Sequence, residues 1–394
     1  MEQKMNGFRA KLDYALKHNV FFNKCFNVVM SSTLKFIGWF IPIDKKMVVF
    51  SAHGRKYNDS PRAIYEYLLK QEKYADLKCV WALEDLSVNI PGNPIKVKAD
   101  SWLYFKHCLK AKYWITCVNI ERSLHFQKKS QLYLNTWHGV ALNTMGNECF
   151  GRKDFDFSNI NFFAYESEFQ KKHIIAGFNV REESLIPAGL PRNDELYNTT
   201  KEEIKRLKEQ LRLPLDKKII LYAPTWRDST NKGASYELRP PINLDKWKEE
   251  LGDEYVLLLR THSYTTDLLG VQFDEFVRNM TPYPKVNDLF KVSDILISDY
   301  SSCITDFSIL ERPIICFTYD YEDYCEVHGL NVDFRTEMPN GIQKTEEEVI
   351  NLIKTMDYDE QCSRTRDMVK NVFTNIGGNA CKICVDTLFR DYKS

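Results

Sequence analysis

Nowhere in the 394 residues is there an uninterrupted apolar run of about 18 residues, so no membrane-spanning helix is expected. The first residues lack the apolar core of a secretory leader, and none is expected. There is no internal repeat and no low-complexity tract. Net charge is also missing, because 54 Lys and Arg balance 54 Asp and Glu. The eleven cysteines, an odd number, show no framework spacing, which points to a reducing compartment rather than a disulfide scaffold. Cys381 and Cys384 form a lone CxxC in a helix-like stretch. With no second pair and no nearby histidine, zinc is not expected there.

What is present fits a soluble globular chain with room for about two domains. Hydrophobic residues make up 44% and charged residues 27%. The zero balance conceals a basic start. Residues 1–43 carry Lys4, Arg9, Lys11, Lys17, Lys24 and Lys35 against Glu2 and Asp13. From Val20 to Ile41 the spacing is helical, with Phe22, Phe26, Val29, Met30, Phe36, Ile37 and Phe40 on a broad apolar face. Asn23, Asn27, Ser31 and Lys35 form a polar stripe. Such a helix suits either a membrane interface or the protein's own core. A second basic stretch, Lys96–Lys129, interleaves eight Lys and Arg with Trp102, Tyr104, Phe105 and Trp114. A solvated face is the plainer reading of it. As a binding surface it suits phosphate-rich lipid head groups better than nucleic acid, since no nucleic-acid module accompanies it.

From Lys46 onward, short apolar runs alternate with helical spacing. Strands are expected at Met47–Phe50, Leu77–Ala82, Tyr113–Cys117, Gln131–Asn135, Lys218–Tyr222, Tyr255–Leu259, Ile295–Ile297 and Ile314–Phe317. The charged helix Lys201–Leu213 stops before Pro214 and marks a boundary. This divides the chain into a basic amphipathic extension (1–43), an N-terminal Rossmann-like domain (44–205) and a C-terminal one (206–394). The expected fold class is α/β, two doubly wound domains.

In such folds ligands sit beyond the carboxyl ends of strands, and five polar turns fall there. They are Ser51–Gly54, Thr136–Gly139, Thr225–Arg227, Arg260–His262 and Asp299–Ser302. The last lies in a strand–turn–helix–strand unit, Asp294–Phe317, where Ser301 and Ser302 either cap the helix or present hydroxyls to an anion. Asp154-Phe155-Asp156 has the spacing of a metal-chelating pair but lies in a loop-like stretch, so no metal site is expected.

Taken in order, these motifs resemble the CDP-glycerol glycerophosphotransferase family, which primes or polymerises teichoic acids and related capsular polymers. The marks are Asn135–Gly139 with Gly146, Gly189–Asp194, Tyr222–Asp228, Arg260–His262, and Ser298–Ser302 with Asp306 and Arg312-Pro313. The resemblance covers Lys46 to the C-terminus. It implies a GT-B-like fold, two Rossmann-type domains facing a cleft. It also implies attack by an acceptor hydroxyl on the glycerol-side phosphorus of CDP-glycerol, with release of CMP.

On this resemblance His138 is the general base, and His262 serves the donor diphosphate. Arg260 or Arg227, with the Ser301 and Ser302 hydroxyls and the helix N-terminus, neutralises charge without a metal. Asp306 reaches the ribose or caps internal structure. Trp137, Gly139, Thr225, Arg192 and Asp194 complete the expected substrate-binding set. No cofactor is implied beyond the donor substrate. The implied acceptor is a lipid-linked saccharide or a growing glycerol-phosphate chain, at the cytoplasmic face of an anionic membrane. Two alternatives stay open: another CDP-alcohol such as CDP-ribitol, or a nucleotide- or polymer-binding protein without turnover.

Overall fold

A computed structural model describes residues 20–121, 124–153, 155–225, 241–261, 272–373 and 376–393. Among the described residues, twelve strands make two sheets. The first contains β1 (Asp44–Ser51), β2 (Lys78–Leu83), β3 (Ile95–Lys98), β4 (Ala111–Thr116), β5 (Leu132–Asn135), β6 (Phe162–Tyr165) and β7 (Leu185–Pro187). Their spatial order is β3-β2-β1-β4-β5-β6-β7. The second contains β8 (Lys218–Ala223), β9 (Tyr255–Leu259), β10 (Val277–Asn279), β11 (Ile295–Ser298) and β12 (Ile314–Cys316), in the order β10-β9-β8-β11-β12. Neighbours from β1 to β6 and from β8 to β12 pair in parallel. By compactness the chain divides into one unit of Met1–His138, Asn159–Phe163 and Cys384–Ser394, and another of Gly139–Ser158 and Ala164–Ile383.

The expected α/β class is what the chain adopts. In the second sheet successive residues serve opposite faces, and both faces are buried. Ile219, Leu221, Leu258 and Leu296 enter one core, while Ile220, Tyr222, Leu257 and Ile297 enter the other. Parallel strands covered on both sides therefore read as continuous apolar runs. Strand order reverses about β1/β4 in one sheet and about β8/β11 in the other. Doubly wound folds place ligands at such reversals. Register brings the strand ends level there: Ser51 pairs with Thr116, Thr116 with Asn135, and Ser298 with Ala223.

The helices used below are α1 (Val20–Phe40), α2 (Trp102–Lys110), α3 (Glu168–Phe178), α4 (Val286–Val292), α5 (Cys303–Ser308) and α6 (Ala380–Leu388). Helix α2 starts where its serine predicts, with Ser101 Oγ accepting from Tyr104 N at 3.2 Å.

Helix α1 is oriented against its hydrophobicity. Ser31, Leu34 and Gly38 face inward, and a Cβ on Gly38 would stand 2.9 Å from Leu109 of α2. Small residues let the two helices approach closely; of the stripe expected to be polar, Ser31 turns inward while Lys35 stays exposed. Large apolar side chains are left outside, including Phe36 at 62%, Trp39 at 84% and Phe40 at 72% exposure.

Candidate active site

At the β1/β4 reversal the site is built from three strand ends. Thr136 N donates to the Thr116 carbonyl at 3.0 Å, tying the turn after β5 to the end of β4. Asn135 then shapes that turn: its Oδ1 accepts from Trp137 N at 2.7 Å, and its Nδ2 donates to the Val118 carbonyl at 2.7 Å. Trp137 is thereby held at φ +52°, a left-handed conformation costly for a large side chain. His138 follows half-buried, with Nδ1 2.7 Å from the Cys117 carbonyl oxygen.

A carbonyl only accepts, so Nδ1 carries the hydrogen. In the neutral ring this leaves the basic lone pair on Nε2. The His138 ring lies 4.2 Å from Trp137 and 5.0 Å from His53, between ring centroids. His53 stands in the turn after β1 and was not among the expected site residues, although its turn was. Arg55 in the same turn is buried, donates to Ser51 Oγ and sits 3.6 Å from Asp100.

At the β8/β11 reversal the two turns are tied together. Asp299, fully buried, accepts from Thr225 N at 2.8 Å, from Thr225 Oγ1 and from Tyr300 N at 2.8 Å. Ser298 Oγ donates to the Ala223 carbonyl at 2.7 Å. Thr225 thus shapes the turn through its side chain as well as its backbone.

Ser301 Oγ accepts weakly from Cys303 N at 3.3 Å. Ser302 occupies the N-cap position of α5 without a side-chain cap bond. Helix α5 has only six residues, so its dipole is small and the hydroxyls are the stronger argument for an anion. Arg260, at the end of β9, donates to the Met280 and Tyr283 carbonyls at 3.1 and 2.6 Å. Arg312 is structural: it donates to the Lys291 and Ser293 carbonyls at 2.8 and 2.5 Å, closing the C-terminal end of α4.

A third group surrounds α5 from the ends of β6 and β7. Arg192 Nη2 donates to Asp306 Oδ2 at 2.8 Å, and Asn193 Nδ2 donates to Oδ1 at 2.6 Å. Asp306 is buried and both its oxygens are engaged. Both carboxylate oxygens thus bond groups of the protein itself. Asp194 likewise caps α6, accepting from Ala380 N and Cys381 N at 2.8 Å each. Gly139, at φ +151°, lies against Ser302, with the Arg192 guanidinium next nearest.

Glu166 follows β6 in the same place. It is fully buried, and its Oε1 has no hydrogen-bond partner among the described residues. Burial pushes its carboxyl up to about 8; Asp306 adds to the rise and Arg192 opposes it. Sequence reading passed over Glu166 because β6 was not anticipated. Yet Phe162-Phe163-Ala164-Tyr165 before Glu166-Ser167 has the same apolar-run-then-polar-turn form as the other five turns.

The structure brings Gly139, Arg192, Ser302 and Asp306 together, and separately joins Thr225 to the turn that holds Ser301. His262 and Arg227 lie outside the described residues, as does Asp154 of the DxD. Asp156 accepts from Ser158 N at 3.1 Å and Asn179 Nδ2 at 2.9 Å.

The profile of the CDP-glycerol:poly(glycerophosphate) glycerophosphotransferase family matches residues 33–390. The chain belongs to that family. A teichoic acid poly(glycerol phosphate) polymerase of Staphylococcus epidermidis is 31% identical over 89% of this chain. The chain spans about half of that relative, 51% of its length. A Bacillus spizizenii protein of the same description is 30% identical over 91% of this chain and 96% of its own. Among solved structures, the wall teichoic acid polymerase TagF, as a variant soaked with CDPG, superposes with a TM-score of 0.79. It is 27% identical, and 98% of each chain is covered. The chain therefore has the GT-B-like, two-sheet α/β fold of TagF.

Proposed function

We propose that the protein transfers glycerol phosphate from CDP-glycerol to a hydroxyl of a teichoic-acid or capsule-type acceptor, releasing CMP. The observation that carries the chemistry is the His138–Cys117 hydrogen bond, which places a basic nitrogen at the end of β5. An alcohol is a weak nucleophile until its proton is removed in the transition state. The acceptor oxygen bonds to the glycerol-bearing phosphorus as its proton passes to His138 Nε2. The bond from that phosphorus to the bridging oxygen breaks, and CMP departs with the electron pair. Ser301 and Ser302 hydrogen-bond the diphosphate, His262 and Arg227 assist, and no metal takes part.

The acceptor is membrane-linked, and the protein works at the cytoplasmic face of an anionic membrane. The outward Phe36, Trp39 and Phe40 of α1 support this reading. No helix among the described residues is long and apolar enough to cross a membrane.

The test incubates the purified chain with CDP-glycerol and a glycerol-phosphate acceptor and measures CMP release. Release with CDP-ribitol alone would move the assignment to that donor. Nucleotide binding without release from either donor would mean a binding protein.

A further inference from the structure

Beside the C-terminal end of α1 lies a groove of about 410 Å³. Lys35, Lys128 and Lys129 supply its charged lining, and Trp39, Ile41 and Phe126 are among its apolar walls. No carboxylate lines it among the described residues. None of the three lysines forms an ion pair with a carboxylate among the described residues. Lys128 Nζ donates to the Ile41 carbonyl at 2.6 Å, and burial lowers its pKa with no anion to offset the effect.

The wall is fixed from behind. The buried Glu121 carboxylate accepts from Phe126 N at 2.6 Å and Gln127 N at 2.9 Å. Gln131 Oε1 accepts from Lys128 N at 2.8 Å. The site is therefore formed before any ligand arrives.

Three amines without a counter-charge call for an anion, and the apolar walls call for one attached to carbon. An inorganic ion would leave Trp39 and Ile41 unused. The outer rim is aromatic as well, with the Phe36 and Phe40 rings 5.2 Å apart and Trp39 6.3 Å from Phe40. Exposed aromatic residues beside lysines match the level of a bilayer at which glycerol and phosphate lie. We infer that this groove binds the phosphate head group of an anionic glycerophospholipid while the aromatic rim enters the interface. The inference rests on the membrane-peripheral reading above and sharpens it from diffuse attraction to one saturable site.

The test uses the full chain and phosphatidylcholine vesicles with and without phosphatidylglycerol. Lys35 and Lys129 are exposed, so Lys35→Gln/Lys129→Gln should leave the fold and turnover with a soluble acceptor unchanged. It should lower affinity for the phosphatidylglycerol vesicles about tenfold or more, from the usual worth of a juxtamembrane lysine. Lys70→Gln/Lys73→Gln makes the same charge change at exposed positions that do not line the groove, and should stay within about twofold. Equal losses in the two double variants would overturn the site, because the whole basic surface would then be acting.

Without vesicles, monomeric dihexanoyl-phosphatidylglycerol titrated by calorimetry should bind saturably to wild type and not to the groove variant. Competition by glycerol phosphate at equal concentration would overturn the lipid assignment in favour of a soluble phosphate. Wild type that ignores both vesicle types would fail the membrane reading itself; short-chain lipid binding that persists in wild type would still support the groove.

Discussion

Gly139 and Ser302 are packed so closely that Gly139 cannot carry a side chain without moving Ser302. A Cβ on Gly139 would stand 2.8 Å from Ser302 Cβ and closer still to its hydroxyl, at a φ of +151° that L side chains avoid. Gly139→Ala must displace the Ser302 turn, so CMP release should fall at least about tenfold, as small misplacements cost in oriented reactions. Circular dichroism should stay native. Wild-type turnover in this variant would show that the Ser302 turn does not position the donor.

Ser302→Ala removes a hydroxyl that makes no cap bond. CDP-glycerol affinity should weaken by roughly 1 kcal/mol, the worth of one hydrogen bond, or more for a charged phosphate. Titration calorimetry with undiminished affinity in both Ser301→Ala and Ser302→Ala would remove the phosphate role.

His138→Ala should lower turnover by about 10²- to 10⁴-fold and leave CDP-glycerol binding nearly intact, since a base acts only as reaction proceeds. His262→Ala should lose donor affinity as well as rate. EDTA should leave wild-type turnover unchanged. A His138→Ala enzyme retaining more than about a tenth of wild-type turnover is too active for one that has lost its base. Donor binding lost in His138→Ala but kept in His262→Ala would mean the two roles are exchanged.

Arg192→Ala strands the buried Asp306 carboxylate with Asn193 as its remaining described partner. Breaking one side of a buried ion pair costs about 3–5 kcal/mol. The urea midpoint should fall accordingly, and Arg192→Lys should recover only part. An unchanged midpoint would mean that the pair is solvated.

Glu166 gives stability a pH slope. Its carboxyl titrates near the usual 4.5 when unfolded and near 8 when folded. Between those values the folded state holds the extra proton, so stability falls as pH rises through the window and levels off above it. Glu166→Gln removes this term. Its urea midpoint should gain on wild type from pH 5 to pH 8, and parallel curves would show that Glu166 does not titrate there.

The central strands were legible because both sides of each sheet are covered, so β1, β4, β8, β9 and β11 appear as unbroken apolar runs. Of the missed strands, β3, β7 and β10 are edge strands of three or four residues, while β6 is an interior strand of four. β3 alternates Ile and Val with lysines that reach solvent, which erases the apolar signal. The polar turns were legible as positions, since each directly follows a run. Their internal bonding was not: Asp194 and Asp306 find partners more than a hundred residues away in sequence, which no local spacing can reveal. Helix α1 shows the same limit, because periodicity finds a stripe but not which neighbour approaches it.

That orientation of α1 inverts the usual map of mutational tolerance. In most helices of globular proteins the large apolar positions are intolerant and the small polar ones forgiving. Here Phe36→Ser or Phe40→Ser should leave folding untouched and make the purified chain less prone to self-associate in aqueous buffer. Gly38→Ala, a single methyl, should loosen the helix from its bed. Solubility and folding are thus governed by opposite sides of one helix and can be engineered independently.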